Sequence, residues 1–208
     1  MNTAIIDLQY LPDITWFKKY ITYKTVFIEQ HENFVKSTNR NRCAIAGPNG
    51  KQILSIPLDG GRDHRQAYTQ VPIAYTQSWQ SAHWHAIQTA YGSTPFFEHY
   101  AYRLHPFYQQ PYPLLFNYNL QLLQVVIKML KLDTQLHFTE TYTKQPEGIA
   151  DLRSGRGAQP DVALPVYYQV FDNKNGFISN LSIIDLIFHV GPQAKDYLMN
   201  LNHVDRQI

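Results

Sequence analysis

Residues 4–29 read AIIDLQYLPDITWFKKYITYKTVFIE, and this stretch decides the fold. Its apolar start, Ala4 to Leu8, predicts a short buried strand. Pro12 stands near the entry of a helix predicted over Ile14 to Tyr20, and Thr25 to Glu29 predict a second strand. A strand, a helix and a second strand indicate a βαβ-like unit with a parallel component.

The ends of these two strands are candidate functional positions, because ligands of open parallel sheets bind beyond the carboxyl ends of the strands. The first strand leads into Gln9 and Tyr10, and the second ends at Glu29. Glu29 could act as a general base, and Tyr10 could offer a flat stacking surface for a sugar or a base. An ordinary core tyrosine explains Tyr10 equally well.

The rest of the chain adds a hairpin and several helices. Cys43 to Ala46 and Gln52 to Pro57 flank an Asn49-Gly50 pair, which is typical of a tight hairpin turn. Helices are predicted over Trp79 to Ala90, Thr94 to Leu104, Leu115 to Leu132 and Leu181 to His189, and weaker strands over Gln70 to Ile73, His137 to Thr139 and Val166 to Phe171.

These elements predict an α/β fold, with a mixed sheet, a β-hairpin and several packed helices; an α+β fold is the alternative. The length of 208 residues favours one domain over 1–208. The Gly- and Pro-rich stretch 144–160 is expected to form a mobile loop within it.

Composition excludes several classes of protein. Hydrophobic residues make up 44% and charged residues 16%, as in a folded globular chain. No apolar stretch approaches the roughly 18 residues of a membrane span, and no secretory signal opens the chain. With Cys43 as the one cysteine, we expect a cytoplasmic protein. A net charge of +2 gives no reason to expect nucleic acid as a partner.

Positive charge is concentrated between residues 36 and 65, where six basic residues stand against two acidic ones. Within this segment Asn39, Arg40, Asn41 and Arg42 combine guanidinium groups with amides, which suits bidentate recognition of a phosphate or carboxylate. We therefore expect a small anionic substrate. A solvated hairpin edge kept basic to deter strand pairing explains the same residues equally well.

Common catalytic signatures are missing from the sequence. It contains no phosphate-binding Gly-Lys-Ser/Thr loop, no dinucleotide-binding glycine pattern, no nucleophile elbow and no paired His/Cys ligand spacing. The sequence therefore predicts no metal centre of common type, and it leaves any cofactor unknown.

The helix predicted after Ser78 carries the first candidate catalytic histidine. Trp79 and His83 stand one helical turn apart, whereas His85 points away from them, so the two histidines do not form a chelating pair. His83 beside Trp79 could act as a general base or bind an anion. A hydrogen-bonded histidine at the edge of the core is the alternative interpretation.

The predicted C-terminal helix carries one acid, Asp185, among apolar residues, and a buried carboxylate there needs a hydrogen-bond donor. Ser182 and His189 share its face, but side chains on one helix project in parallel and do not converge as a catalytic triad. Tyr168 and Gln169 precede this helix, and Tyr168 could stack on a ligand.

Motifs along almost the whole chain resemble those of the WbqC-like protein family. The resemblance lies in Tyr10-Leu11-Pro12, Val26 to Glu29, Asn41-Arg42 before Pro48-Asn49-Gly50, Trp79 with His83-Trp84, Ala90-Tyr91 with Pro95 to Phe97, Tyr168-Gln169, and Asn180 to Leu186 with Gly191-Pro192. The resemblance implies a role in bacterial cell-surface polysaccharide biosynthesis and adds Tyr91, Gln169 and Asn180 to the candidate substrate-binding residues.

The first functional hypothesis is a transferase that acts on an activated, anionic substrate: a nucleotide sugar, a glycan precursor or an acyl donor. Arg40 and Arg42 would neutralise the anion, Trp79 and Tyr168 would stack, and His83 or Glu29 would serve as the base. The alternative is a non-catalytic ligand-binding or scaffold protein. Both hypotheses expect the basic residues, the Trp/His helix and the late tyrosines to line one common groove.

Overall fold

A parallel sheet and an antiparallel hairpin form the strand framework of the protein. The computed structural model describes residues 2–59, 66–153 and 164–204. The sheet has the order β5-β2-β1-β6, and all three of its strand pairs are parallel. The α/β prediction is confirmed. The strands are β1 (Thr3–Asp7), β2 (Thr25–Glu29), β3 (Arg42–Gly47), β4 (Gly50–Ser55), β5 (Gln135–Phe138) and β6 (Ala150–Asp151).

The β1-α1-β2 unit is present as predicted. In β1 the consecutive residues Ala4, Ile5 and Ile6 are all buried, as expected for a parallel strand covered on both faces. The register pairs Thr3 with Thr25 and ends by pairing Asp7 with Glu29. Two carboxylates therefore lie side by side where the strands end.

Helices of the described residues pack around this framework. They are α1 (Ile14–Thr22), α2 (Trp79–Tyr91), α3 (Phe97–Leu104), α4 (Leu115–Met129), α5 (Asp172–Asn175), α6 (Ile183–Val190) and α7 (Ala194–Val204). Short 3-10 turns cover Tyr68–Gln70, His105–Tyr108 and Gly191–Gln193. The apolar faces of the sheet and of the longer helices contribute to one extended hydrophobic core.

The entry of α1 is fixed by residues from both ends of the chain. Asp13 caps the helix by accepting a hydrogen bond from the amide of Trp16 at 2.8 Å. The amide of Thr15 donates to Oδ1 of Asn180 at 3.0 Å, and the amide of Ile14 donates to the carbonyl of Leu181 at 3.1 Å. These bonds hold the start of α1 against the segment that precedes α6.

The hairpin is confirmed, with Pro48 and Asn49 in the turn between paired Gly47 and Gly50. Gly50 has φ of +101°, a conformation that residues with a Cβ rarely adopt. The turn is also tied to the late part of the chain, because Lys174 donates to the carbonyl of Pro48 at 2.8 Å.

Several predicted elements are wrong in detail. No strand forms over 166–171, and 70–73 contributes only isolated bridges after a 3-10 turn. Asn180 does not cap the late helix, whose N-cap is Ser182; Asn180 lies outside it with φ of 51° and serves α1 instead. The helix predicted from Thr94 begins at Phe97.

The buried face of α4 is not purely apolar. Leu122 and Val126 are buried, whereas Leu120 and Ile127 are only half-buried. Asn119 joins the buried face because its amide donates to the carbonyl of Arg40 and to the hydroxyl of Tyr68, both at 2.7 Å. Two good partners therefore allow a polar residue to lie on the buried face of α4.

Candidate functional site

Charged side chains converge where the parallel strands end, and we call this group the carboxyl-edge cluster. Its members are Asp7, Glu29, Glu32, Arg40, Asp151 and Arg153. The chain leaves β1 toward β2 on one side, while β6 lies on the other side, so the cluster occupies the point where strand order reverses. Open α/β sheets bind ligands at such points.

Arg40 occupies the buried end of this cluster. Its Nε and Nη2 donate to the two carboxylate oxygens of Glu32 at 2.8 and 2.7 Å, and Nη2 lies 3.7 Å from Oδ2 of Asp7. Burial opposes the charge of Arg40, but Glu32 and Asp7 outweigh it and raise the pKa of the guanidinium. Burial also raises the pKa of Glu32, against the opposing effect of Arg40.

Glu29 is fully buried and is held on both carboxylate oxygens. Its Oε1 accepts from the amide of His31 at 2.7 Å and from the hydroxyl of Thr139 at 3.0 Å. Its Oε2 lies 3.3 Å from Nη1 of Arg153. The carboxylate therefore has a fixed orientation, with one oxygen facing the side chain of Arg153.

Arg153 joins the cluster to the strand β6 and to the surface. It donates to both oxygens of Asp151, at 2.9 and 2.6 Å, and it stacks over the ring of Tyr142 at 5.4 Å. The hydrogen bonds from Arg153 lower the pKa of Asp151, and those same bonds raise the pKa of Arg153. With 10% of its side chain exposed, Arg153 is nearer to solvent than Arg40.

The cluster as a whole contains four acidic and two guanidinium side chains. Buried charges of this kind are costly unless they are paired, and the paired arrangement leaves an excess of carboxylates. Such a group can accept a proton from a substrate hydroxyl or amine, or bind a positively charged group.

A second group is aromatic and surrounds His83. The hydroxyl of Tyr10 lies 3.0 Å from Nδ1 of His83 and 2.9 Å from the hydroxyl of Tyr108. The ring of Trp79 meets His83 edge-on at 5.1 Å. Burial lowers the pKa of His83 to about 4, although a hydrogen bond to the backbone of Ser55 opposes the shift. His83 is therefore neutral at pH 7.

A third group is centred on Asp185, which is fully buried in α6. Its Oδ2 accepts from the hydroxyl of Tyr167 at 2.5 Å and from the amide of Gln169 at 2.9 Å. His189 accepts the amide of Val170 on Nε2 at 3.1 Å. Burial raises the pKa of Asp185, against the electrostatic effect of the neighbouring His189 and the bonds from Tyr167 and Gln169. Asp185 and His189 thus hold the segment before α6 in place.

The structure brings the predicted site residues together in groups, but not in one groove. Glu29 and Arg40 belong to the carboxyl-edge cluster. The aromatic group contains Tyr10, Trp79 and His83. The third group contains Tyr91, Gln169 and Asp185, and exposed Tyr168 meets His189 edge-on at its border. The expectation of a shared groove is not met among the described residues. The basic residues Arg62 and Arg65 lie outside the described residues.

The four predicted residues before the hairpin also separate. Asn39 donates to Asp13 at 3.4 Å, Asn41 donates to the carbonyl of Ile56 at 3.1 Å, and Arg42 is exposed. Arg40 is turned inward onto Glu32. The predicted anion patch is therefore less positive than expected, because Arg40 is paired with Glu32.

Sequence reasoning missed Asp7, Glu32, Asp151 and Arg153. Asp7 closes an otherwise apolar strand and stands one residue ahead of Leu8, so its position at a strand end was a usable signal. Asp151 ends a strand of only two residues and Arg153 comes shortly after it, and a strand that short shows no periodicity.

Residues 2–59, 66–153 and 164–204 contain no set of three or more His, Cys, Asp or Glu side chains arranged to hold a metal ion. No helix within the same ranges combines the length and apolar character needed to cross a membrane.

Comparison with known proteins places these groups in a family context. The model of the WbqC-like protein family matches residues 9–160. A relative from Mycobacterium tuberculosis (strain ATCC 25618 / H37Rv), named uncharacterized protein Rv1507c, is 28% identical over 226 residues, which covers 95% of this chain and 97% of the relative. No solved structure matches the chain.

Proposed function

Because the chain belongs to the WbqC-like protein family, we propose that it is a transferase in bacterial cell-surface polysaccharide biosynthesis. The reaction would move a sugar or acyl group from an activated, anionic donor to a hydroxyl or amine of a glycan precursor, and the nucleotide or CoA would leave as its bond to the transferred group breaks. Donors of that kind, such as nucleotide sugars and acyl-CoA, place the reaction in the cytoplasm. We take residues 1–208 to act as one domain.

One observation carries the proposal: Glu29 and Asp7 lie side by side at the carboxyl ends of β2 and β1, within a buried charged cluster. Burying charge in this way costs folding free energy, and clusters of this kind are concentrated at functional sites. The location at the reversal of strand order is where this sheet architecture binds ligands.

The contacts support distinct roles within the cluster. Glu29 is the base that takes a proton from the acceptor hydroxyl or amine, and Arg153 binds the anionic part of the donor. Glu29 faces Arg153 at 3.3 Å, so a donor that draws the guanidinium away also frees the carboxylate for the acceptor. Arg40 is bonded to Glu32, so it holds the buried end of the cluster in place and does not contact the donor.

His83 is the weaker of the two predicted bases. Its Nδ1 is bonded to Tyr10 and its ring is buried against Trp79, so the imidazole is held by contacts inside the core. Asp185 is enclosed by Tyr167 and Gln169 and serves to hold the segment before α6.

The test begins with a thermal-shift panel of nucleotide sugars and acyl-CoA. A donor present at 100 times its dissociation constant stabilises the protein by about 2.7 kcal/mol. Transfer from that donor to a sugar acceptor is then followed by mass spectrometry for the parent protein, Glu29→Gln and Glu140→Gln. Glu140 is an exposed carboxylate close in sequence to β5, so its variant makes the same chemical change outside the cluster.

We expect Glu29→Gln to lower turnover by about a hundredfold or more, which is the usual contribution of a general base, and Glu140→Gln to leave it unchanged. Donor affinity should survive in both variants. Equal turnover in all three proteins would refute the role of Glu29, and a flat response across the panel would count against the transferase proposal itself.

A non-catalytic ligand-binding or scaffold protein is the second candidate. It is favoured by the enclosure of all three predicted catalytic side chains: Glu29 and Asp185 are fully buried, and His83 is 6% exposed. This candidate would be favoured if a donor stabilises the protein in the thermal panel but no transfer product forms, and if Glu29→Gln leaves that result unchanged.

A further inference from the structure

An open surface groove of about 390 Å³ lies beside α7, and its described lining residues are not members of the carboxyl-edge cluster. Its volume falls within the range of small-molecule sites. We call it the α7 groove, and its lining residues are Tyr167, Val190, Gln193, Asp196, Tyr197 and Asn200.

One wall of the α7 groove is a single face of the C-terminal helical region. Gln193, Asp196, Tyr197 and Asn200 follow one another at spacings of three, one and three residues, so they lie on one side of the helix. This wall presents two carboxamides and a carboxylate around a phenol ring, groups that can donate to and accept from neighbouring hydroxyls.

The opposite wall is held rigidly by the third group of the candidate site. Tyr167 donates to the buried Asp185 at 2.5 Å and meets the ring of Tyr197 edge-on, with centroids 5.4 Å apart. The hydroxyl of Tyr197 donates to the carbonyl of Pro165 at 2.6 Å. Both rings are thereby fixed before any ligand arrives, which reduces the entropy cost of binding.

The charge of the α7 groove selects among ligand classes. Among the described lining residues Asp196 is the one that is formally charged, and it is acidic. The adjacent Lys195 donates instead to the carbonyl of Lys131 at 2.8 Å and pairs with Asp133 at 3.3 Å. A phosphate or a nucleotide would therefore meet repulsion from Asp196, and no cation among the described lining residues would compensate it.

From these observations we propose that the α7 groove is a binding site for a neutral saccharide unit. Vicinal hydroxyls would bond to Asp196, Asn200 and Gln193, while the apolar face of the sugar ring would pack against the fixed tyrosine rings. The α7 groove shares no residue with the carboxyl-edge cluster, so the proposal does not depend on the transferase reaction.

The test is saturation-transfer-difference NMR with N-acetylglucosamine, galactose, mannose and, as the anionic comparison, uridine monophosphate. We expect a saturation-transfer signal from at least one of the sugars. The affinity for that sugar should be about tenfold lower in Asp196→Ala and in Asn200→Ala, because each variant loses a hydrogen bond. The affinity should be unchanged in Met199→Ala. Met199 is exposed on the same helix but outside the α7 groove. Circular dichroism checks that each variant is folded.

Three results would overturn the proposal: transfer to none of the sugars, sugar binding that survives in the Asp196→Ala/Asn200→Ala double variant, or preferential binding of uridine monophosphate. The Glu29→Gln protein separates this proposal from the previous one. It should retain full sugar binding in the α7 groove whether or not Glu29 proves to be a base.

Discussion

Arg40 and Glu32 form a bidentate ion pair inside the protein, with Nε to Oε1 at 2.8 Å and Nη2 to Oε2 at 2.7 Å. The same guanidinium faces Asp7 at 3.7 Å, and the side chains of Arg40 and Asp7 are 3% and 1% exposed. One cation therefore balances two carboxylates that have little access to water.

Replacing Arg40 by Met should lower the free energy of unfolding by about 3–5 kcal/mol, the usual cost of leaving buried charge without its partner. Urea denaturation at pH 7 measures the loss. The deficit should shrink as the pH is lowered, because Glu32, whose pKa burial raises, then takes up a proton and loses its charge. Arg103→Met is the control, since Arg103 is exposed on α3; equal losses in the two variants would contradict the prediction.

His83 should make stability depend on pH in the mildly acidic range. Its pKa is about 4 in the folded protein against 6.5 for a free histidine, so the unfolded chain binds the proton more readily. The contribution of neutral His83 to the free energy of unfolding is about 3 kcal/mol. It is fully present above pH 6.5 and is lost as the pH drops from about 6.5 to about 4.

The measurement for His83 is the free energy of unfolding from pH 7 to pH 4 in the parent protein, His83→Gln and His85→Gln. His83→Gln should flatten the dependence, whereas His85→Gln should retain it, because His85 is exposed on the same helix. An unchanged slope in His83→Gln would refute the assignment.

Gln169 should act as the main organiser of the irregular segment before α6. Its amide donates to Asp185 at 2.9 Å and to the carbonyl of Ile178 at 3.0 Å, and its Oε1 accepts the amide of Ile178 at 2.9 Å. Gln169→Leu should therefore cost about 2 kcal/mol through buried groups left without partners.

Hydrogen exchange supplies a local readout for the Gln169 prediction. The amide of Ile178 should exchange faster in Gln169→Leu than in the parent protein, whereas the exposed control Gln88→Leu should leave it unchanged. Unaltered protection at Ile178 in the first variant would show that other contacts organise this segment.

The elements that depend on local pattern could be predicted, and those that depend on distant partners could not. The β1-α1-β2 unit, the hairpin and the main helices follow from apolar runs, turn residues and caps within a few positions. Residues 166–171 have the Val, Tyr and Phe content of a strand, yet Val170 bonds to the His189 ring and not to a neighbouring strand. Tertiary partners outweighed intrinsic preference there.

The location of the candidate site could be predicted from the sequence, but the sign of its net charge could not. Glu29 followed from the rule that ligands bind beyond strand ends, and it does lie in the carboxyl-edge cluster. Counting charges between residues 36 and 65 treated Arg40 as available to an anion. The count could not include Glu32 and Asp7, which precede that window and neutralise Arg40 in the folded protein.

The strand order of the parallel sheet also sets the timing of its assembly. β1 leaves the ribosome first, yet its neighbour β6 follows more than 140 residues later, and the bond from Thr15 to Asn180 spans 165 positions. Contacts this distant in sequence slow folding, because long loops must close at an entropy cost before the contacts can form. During translation the flank of β1 that pairs with β6 stays uncovered until β6 has been synthesised, and a nascent chain in that condition is a natural client for chaperones.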